Sequence, residues 1–349
     1  MADTGLTLAL FALVCLIFLT LPFVPAFWEW RSPSDIAALP VLANYSSDID
    51  HFARRLQADA MAKLGTGPST GFEDFDYLST PVETMRFSEA SSRLIARRSV
   101  DTAMGLQTTR QLYIQGDIHS GPDSSFTCLY ADGNIELEHG SQIHDWAHAS
   151  GRLRLGHNGI ALRRVSAGVS IELGNDVWFE RLQAPTLTFG LSTNEAKISL
   201  EPVDPVQSDA SYADLPGAIK QTSLLYLIRG DCVLPEGKRY QGSLIVTGFL
   251  IVGKNTTIVG DIKAREGISI SRYGRVEGAV TCEKRIYLFK DASAWGPVVS
   301  ETDVLFGARA VVGTLDALTT VTARNIIVEE GVTVHGEVWA HEVGMVKSE

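Results

Sequence analysis

Gly260-Asp261-Ile262-Lys263-Ala264 is followed one period on by Gly278-Ala279-Val280-Thr281-Cys282, and after the same interval again by Gly296-Pro297-Val298-Val299-Ser300. The same phrase opens at Gly242-Ser243-Leu244-Ile245-Val246 and returns at Gly313-Thr314-Leu315-Asp316-Ala317 and Gly336-Glu337-Val338-Trp339-Ala340. The glycines are evenly spaced as far as Gly296, one position early at Gly313, and late at Gly336. Two positions after each glycine is an aliphatic residue, and four after is usually a small one. A period of two marks a strand with one face turned inward. A fixed long-range period marks a stacked repeat.

Two further strands complete each repeat. One carries Leu250/Val252, Ile268/Ile270, Ile286/Leu288 and Val304/Phe306; the other carries Ile258, Val276, Ala294, Val311 and Val334. Three short strands per repeat make a triangular coil, and stacking at ~4.8 Å pairs every strand edge except the outermost. The predicted fold class is an all-β solenoid, a triangular β-helix whose corner glycines permit tight bends. The extra length before Gly336 predicts a loop around Thr319 to Ala323.

The same ruler finds Gly116-Asp117-Ile118-His119-Ser120 in the first half, then Asp145, Arg163 and Glu180 at the corner position. Its inward rows read Ala147/Ala149 with Leu153/Leu155, Val165/Ala167 with Ile171/Leu173, then Leu182/Ala184. A single solenoid from Leu112 to Val343 is the simplest expectation. Leu191 to Gln221, acidic and aperiodic with Pro202, Pro205 and Pro216, reads as an excursion. The expected organisation is 1–31 tail and transmembrane helix, 32–110 partly helical juxtamembrane segment, 111–190 first block, 191–223 linker, 224–343 second block and 344–349 tail.

Gly5 to Trp28 contains no charged residue, a length sufficient for a helix to cross ~30 Å of hydrocarbon. Phe23, Phe27, Trp28 and Trp30 beside Arg31 suit an interfacial exit, and Arg31 leans the body to the cytoplasmic side of an inner membrane. The competing signal-peptide reading, with cleavage near Val24-Pro25-Ala26, lacks a basic leader. Ser47-x-x-Asp50, with Ile49, Phe52, Ala53, Leu56 and Ala60, predicts an amphipathic helix stopped at Gly65. It would cap the solenoid's end, meet a partner helix or pack as a spacer. A second helical pattern covers Ser88 to Arg98.

Composition narrows function. A net charge of −11 argues against a phosphate-rich partner, nucleic acid or anionic lipid, because such binders need an excess of lysine and arginine. Cys15, Cys128, Cys232 and Cys282 form no CxxC pair, so no zinc knuckle or disulfide framework is expected. His144-Asp145-Trp146-Ala147-His148 is the sharpest chemical cluster, because His119 and His148 would share one repeat position and stack. His119, His144 and His148 are thus candidate zinc ligands, weighed against the plainer reading of exposed solenoid residues. No phosphate loop, G-x-S-x-G elbow or H-E-x-x-H helix occurs, and no cofactor or small-molecule substrate is expected. An enzyme alternative remains, since the period is also that of three hexapeptides: a left-handed β-helix acyltransferase. Its hexapeptide series is broken at Thr256, Gly274 and Ala292, and the better block offers only His335 and His341 as a base.

The Gly260-Asp261-Ile262-Lys263-Ala264 type repeats resemble the bactofilins, polymer-forming bacterial cytoskeletal proteins, best over 225–342. That resemblance implies a right-handed β-helix whose end coils join copies into filaments without nucleotide, recruiting envelope-synthesis proteins at a membrane. Carried over, Ile118 and Val338 near the end coils would supply the self-association contacts. The corners would be Gly116, Gly242, Gly260, Gly278, Gly296, Gly313 and Gly336. The expected role is a membrane-anchored, non-enzymatic scaffold, a cytoskeletal organiser of envelope or glycan-synthesis machinery.

Overall fold

The computed structural model describes residues 2–21, 23–24, 31, 49–65, 75–77, 93–190 and 207–348. It separates into two compact units, Met1–Ser47 and Asp48–Glu349. The first unit carries a helix, α1, over Ala2–Thr20. Among the described residues no helix is long and apolar enough to cross a membrane. Phe27, Trp28 and Trp30 of the expected interfacial belt lie outside the described residues.

The second unit is an all-β solenoid in two blocks. In the first, Leu94, Leu112, Leu129, Ala147, Val165 and Leu182 stack in parallel register on one inner row. Val100, Ile118, Ile135, Leu153, Ile171 and Leu187 form the next. Thr108, Phe126, Ile143, Ala161 and Phe179 form the third. In the second block one row runs Tyr226, Leu244, Ile262, Val280, Val298, Val321 and Val338. All but Thr108 of these residues belong to one continuous buried cluster, because no coil buries its inward row without a neighbour.

Several expectations need correction. The corner above Gly296 is occupied by Thr319, since Val298 pairs with Val321 and Thr319 with Gly336. The bulge is therefore Thr314 to Leu318, closed by a Thr314–Ala317 bridge. Leu315, expected inside, is 65% exposed, and Thr319–Val328 is strand. Val312 rather than Val311 faces the core.

In the first block Gly116 continues through Gly133 and Gly151, whose N–H groups donate to the preceding glycine carbonyl at 2.9 and 3.0 Å. Asp145, Arg163 and Glu180 belong to another corner, where the Arg163 N–H donates to Glu180 at 3.0 Å. The first block also begins earlier than Leu112. Arg93–Ala96 is a strand, not part of a helix; the rest of the Ser88 to Arg98 pattern before Arg93 lies outside the described residues.

At Gly278 and Gly296 the need for glycine is space. A Cβ at Gly278 would sit 2.5 Å from the Gly260 carbonyl oxygen, and one at Gly296 would sit 2.5 Å from the Gly278 carbonyl carbon. Neither separation is compatible with a side chain.

The two blocks do not continue one another. The last strand of the first, Trp178–Phe189, pairs antiparallel with the last strand of the second, Val332–Val346. Leu182 faces Val338, Leu187 faces Val334 and Phe179 faces Gly344, so the inner rows meet across the seam. Gly344 is required there, because a Cβ would lie 2.3 Å from the Phe179 ring. The end of the second block opposite the seam is closed by 207–220. Ser208–Ala210 pairs parallel with Lys238–Tyr240, and Ala218–Lys220 pairs antiparallel with Tyr226–Ile228. Between them Tyr212, 1% exposed, lies 4.8 Å from the Tyr240 ring and 5.4 Å from that of Tyr226. This part of the expected linker is thus a plug; 191–206 lie outside the described residues.

The expected amphipathic helix is α2, His51–Lys63, ending before Gly65, whose φ is +77°. Asp50 is its N-cap, with no side-chain capping bond. Ser47 lies outside the described residues. The helix does not cap a solenoid end: Ala53, Leu56 and Ala60 lie on the side of the first block against Ile95, Tyr113, Tyr130 and Trp146. Buried Asp59 receives Arg93 at 2.6 Å. Phe52 faces outward, 47% exposed, where Arg164 lies 5.0 Å over its ring.

Candidate functional site

One outward row links helix, first block, seam and second block. Ile95, Tyr113, Tyr130, His148 and Ser166 stack coil on coil. Ser166 then pairs with Gln183, Gln183 across the seam with Glu337, and Glu337 with Thr320. Helix α2 covers the aromatic end of this row. The rest opens into a cleft of about 410 Å³, walled by Asp50 and Arg54, by His148, Ser166 and Gln183, and by Thr320 and Glu337 of the second block. The cleft therefore exists only because the blocks meet.

Its charges are paired internally. Arg54 bonds Asp50 at 2.8 Å, and Arg181 bonds Glu337 at 2.5 Å while its guanidinium lies 4.8 Å over the Trp339 ring. His148 stacks on Tyr130 with centroids 5.3 Å apart and shares a 2.8 Å hydrogen bond between Nδ1 and Ser166 Oγ. Burial holds its pKa below the usual imidazole value, with Arg54 adding to the effect against Asp50. Burial likewise raises Tyr113, whose hydroxyl donates to Asp132.

An imidazole bonded to a hydroxyl is the arrangement that activates a nucleophile. Acyl chemistry would also require donors aimed at a developing oxyanion. Around Ser166 the backbone is committed to the parallel ladder: the Gly168 N–H donates to Ala149 at 2.9 Å. The His148–Ser166 bond orders the outward row where it lines the cleft.

Because the folded state resists protonating His148, the unfolded chain takes up the proton first as pH falls. Stability is present above about 6.5 and drains away on acidification below it. His119 acts oppositely: the Asp101 bond at 2.9 Å, weakened by slight burial, raises its pKa. It stabilises at low pH and loses that contribution as pH rises through its folded pKa. His148→Gln should therefore flatten the acid side of the profile. Urea midpoints at pH 7.5 and 5.5 should fall further in the parent than in the variant; equal drops would remove His148 as the cause.

The histidine expectation is corrected by register. His119 pairs with Asp101 and Glu136, whereas His148 lies between Tyr130 and Ser166 on another face. His144 bonds Ser125 at 3.0 Å. Among the described residues no group of three or more His, Cys, Asp or Glu is placed to hold a metal ion. Ile118 is interior, 1% exposed, with a coil on either side. Val338, also 1% exposed, is sealed in the seam against Leu182. Neither side chain lies on an open coil end.

Cys128, Cys232 and Cys282 are buried and unpaired. Burial raises all three thiols, Cys128 to about 12 with help from Asp145 and Cys232 to about 11. Alkylation of the Asp48–Glu349 body at pH 8 should modify none of them until denaturant is added, as read by intact mass. Fast labelling of any one in native buffer would contradict its placement.

Ser166, Gln183, Glu337 and Thr320 escaped the sequence reading, although Tyr113, Tyr130, His148 and Ser166 recur once per coil. The signal for them is the outward row, which the spacing of inward aliphatic residues does not reveal. Comparison with family models, with curated proteins and with solved structures gave no match.

Proposed function

We propose that this chain is a membrane-tethered structural scaffold, acting as a rigid particle that presents its solenoid faces to client proteins. The observation that carries the reading is the sealed seam. The Val338 end of the second block is closed by the chain's own first block, and its other end is plugged by Tyr212. A solenoid exposes unpaired strand edges only at its ends, so this one withdraws edges that would otherwise template assembly. What it offers a partner is side surface, held in fixed geometry by stacked coils.

Tethering rests on the uncharged run from Gly5 to Trp28, whose helical part is α1. A single pass into the cytoplasmic membrane, with the solenoid on the cytoplasmic side, remains the reading of Arg31 and its neighbours. Any self-association would use the first coils of the first block around Val100, the Cys232–Leu234 edge that the plug leaves unpaired among the described strands, or the solenoid flanks, not Ile118 or Val338. Envelope-synthesis clients, a right-handed coil and bactofilin-like polymerisation rest on the sequence resemblance alone.

The test is light scattering and negative-stain electron microscopy of the full chain in detergent over a range of concentration and salt. Discrete particles of one mass are expected. Filaments growing with concentration would replace the capped-particle reading by polymer formation.

A further inference from the structure

The acidic average conceals a basic corner. Four successive residues of the second block, Asn255, Tyr273, Asp291 and Arg309, have φ between 53° and 61°. This places the same left-handed bend on four coils in a row. The coils are tied there by backbone bonds, Asn255 N–H to the Arg272 carbonyl at 3.3 Å and Asp291 N–H to the Ala308 carbonyl at 3.0 Å.

The corner displays Lys254, Arg272, Lys290 and Arg309, all exposed. The acid among them is Asp291, held between Arg272 at 3.2 Å and Arg309 at 2.8 Å. Four cations against one carboxylate make the coils from Lys254 to Arg309 locally positive on a chain of net charge −11. Glu236, Glu329 and Glu330 stand on the adjoining coils and bound the patch, the Glu329 carboxylate accepting the Ala308 N–H at 2.8 Å.

Aromatic side chains share the same edge. Phe289 is 49% exposed and Tyr273 39%, and Arg272 lies 4.6 Å over the Tyr273 ring. On the adjoining face Arg275 lies 5.3 Å over Trp295, itself 38% exposed. Rings beside cations are the pairing that suits a headgroup layer, where an amphipathic ring enters the interface and the charge meets lipid phosphate. A polyphosphate would gain nothing from a bare phenyl group such as Phe289, and the bases of a single strand, which could stack on it, come with a phosphate charge that a chain of net charge −11 disfavours.

We propose that this corner docks the solenoid onto an anionic lipid surface, with Phe289 and Tyr273 entering the headgroup region and Lys254, Arg272, Lys290 and Arg309 contacting lipid phosphates. The solenoid then lies along a membrane by one edge. The inference does not depend on the apolar helix, so its failure would leave the tether reading standing.

The test uses the Asp48–Glu349 body, which contains both hydrophobic clusters whole. Cosedimentation is measured with vesicles of phosphatidylcholine and of phosphatidylcholine with about one third phosphatidylglycerol, a composition chosen to supply surface charge. Binding to the anionic vesicles alone, reversed by salt, is expected. The pair Lys254→Glu with Lys290→Glu should weaken it by roughly thirtyfold or more. Phe289→Ser should weaken it severalfold without changing the salt dependence, while Lys220→Glu with Lys263→Glu, the same charge change elsewhere, should act much less. Equal binding to both vesicle types, no binding to either, or equal loss in both charge pairs would overturn the proposal. So would capture by heparin as strong as by vesicles and indifferent to Phe289→Ser, which would mark a site for soluble polyanions. Unchanged thermal melting of each variant shows that the fold is kept.

Discussion

Val338→Asp should destabilise the solenoid body by about 4 kcal/mol or more, the scale of a buried charge without a partner. Val338 is 1% exposed and sits between Val321 of its own block and Leu182 of the other. A carboxylate there meets only aliphatic groups and ladder backbone whose hydrogen bonds are already made. The loss should also take a particular form. Because the seam is where the two inner rows become one core, breaking it should split a single urea transition into two, one for each block. Leu182→Asp, entering from the opposite side, should reproduce the effect. Unfolding that stays single, with the midpoint moved by less than a conservative Val338→Ala moves it, would show that the seam contributes little.

Tyr212→Ala should remove about 3–5 kcal/mol, the range for truncating a large buried aromatic, and should change the protein's state of association. The Tyr212 ring lies on Tyr240 at 4.8 Å, and its hydroxyl donates to the Gly242 carbonyl at 3.3 Å. Burial holds that hydroxyl far above the usual phenol range, so it remains a donor throughout. Without the plug, the edges of Leu225–Ile228 and Lys238–Gln241 lose their cover, and an uncovered edge pairs with the next available strand. Size-exclusion chromatography with light scattering should show larger species that increase with concentration. Tyr212→Phe keeps the ring and should stay monodisperse, losing only about 1 kcal/mol for the hydrogen bond. Association by both variants, or by neither, would deny the segment its capping role.

The rows were legible where the repeat is strict. Leu244, Ile262, Val280 and Val298 announce a coil by spacing alone, and the structure stacks them as read. Legibility failed where the ruler had to choose between similar marks. Gly313 has the right neighbour in Leu315, but the aliphatic residue that fits above Val298 is Val321, because burial rather than the glycine sets the register. In the first block the corner that follows Gly116 falls at Gly133 and Gly151, one and two coils further on, and not at Asp145.

The antiparallel seam left no local mark at all. Strands that end a block look like strands that continue it, and whether Leu182 meets the next coil or the chain's last one is decided by contacts from the far end of the sequence. The cleft shares that origin, so its two halves read as unrelated fragments of sequence. Tyr212 was hidden for a further reason. A plug needs one large ring rather than a period, and a lone tyrosine in an acidic segment carries no pattern.

The seam has a consequence for how the chain is made. The strand that covers Trp178–Phe189 is Val332–Val346, made only after the rest of the second block. At ordinary elongation rates the first block therefore waits roughly ten to thirty seconds with its final edge bare. A chain interrupted within the second block, before Val332, would leave the seam ends of both blocks open instead of joined. Closure of the first block's core thus waits on completion of the second.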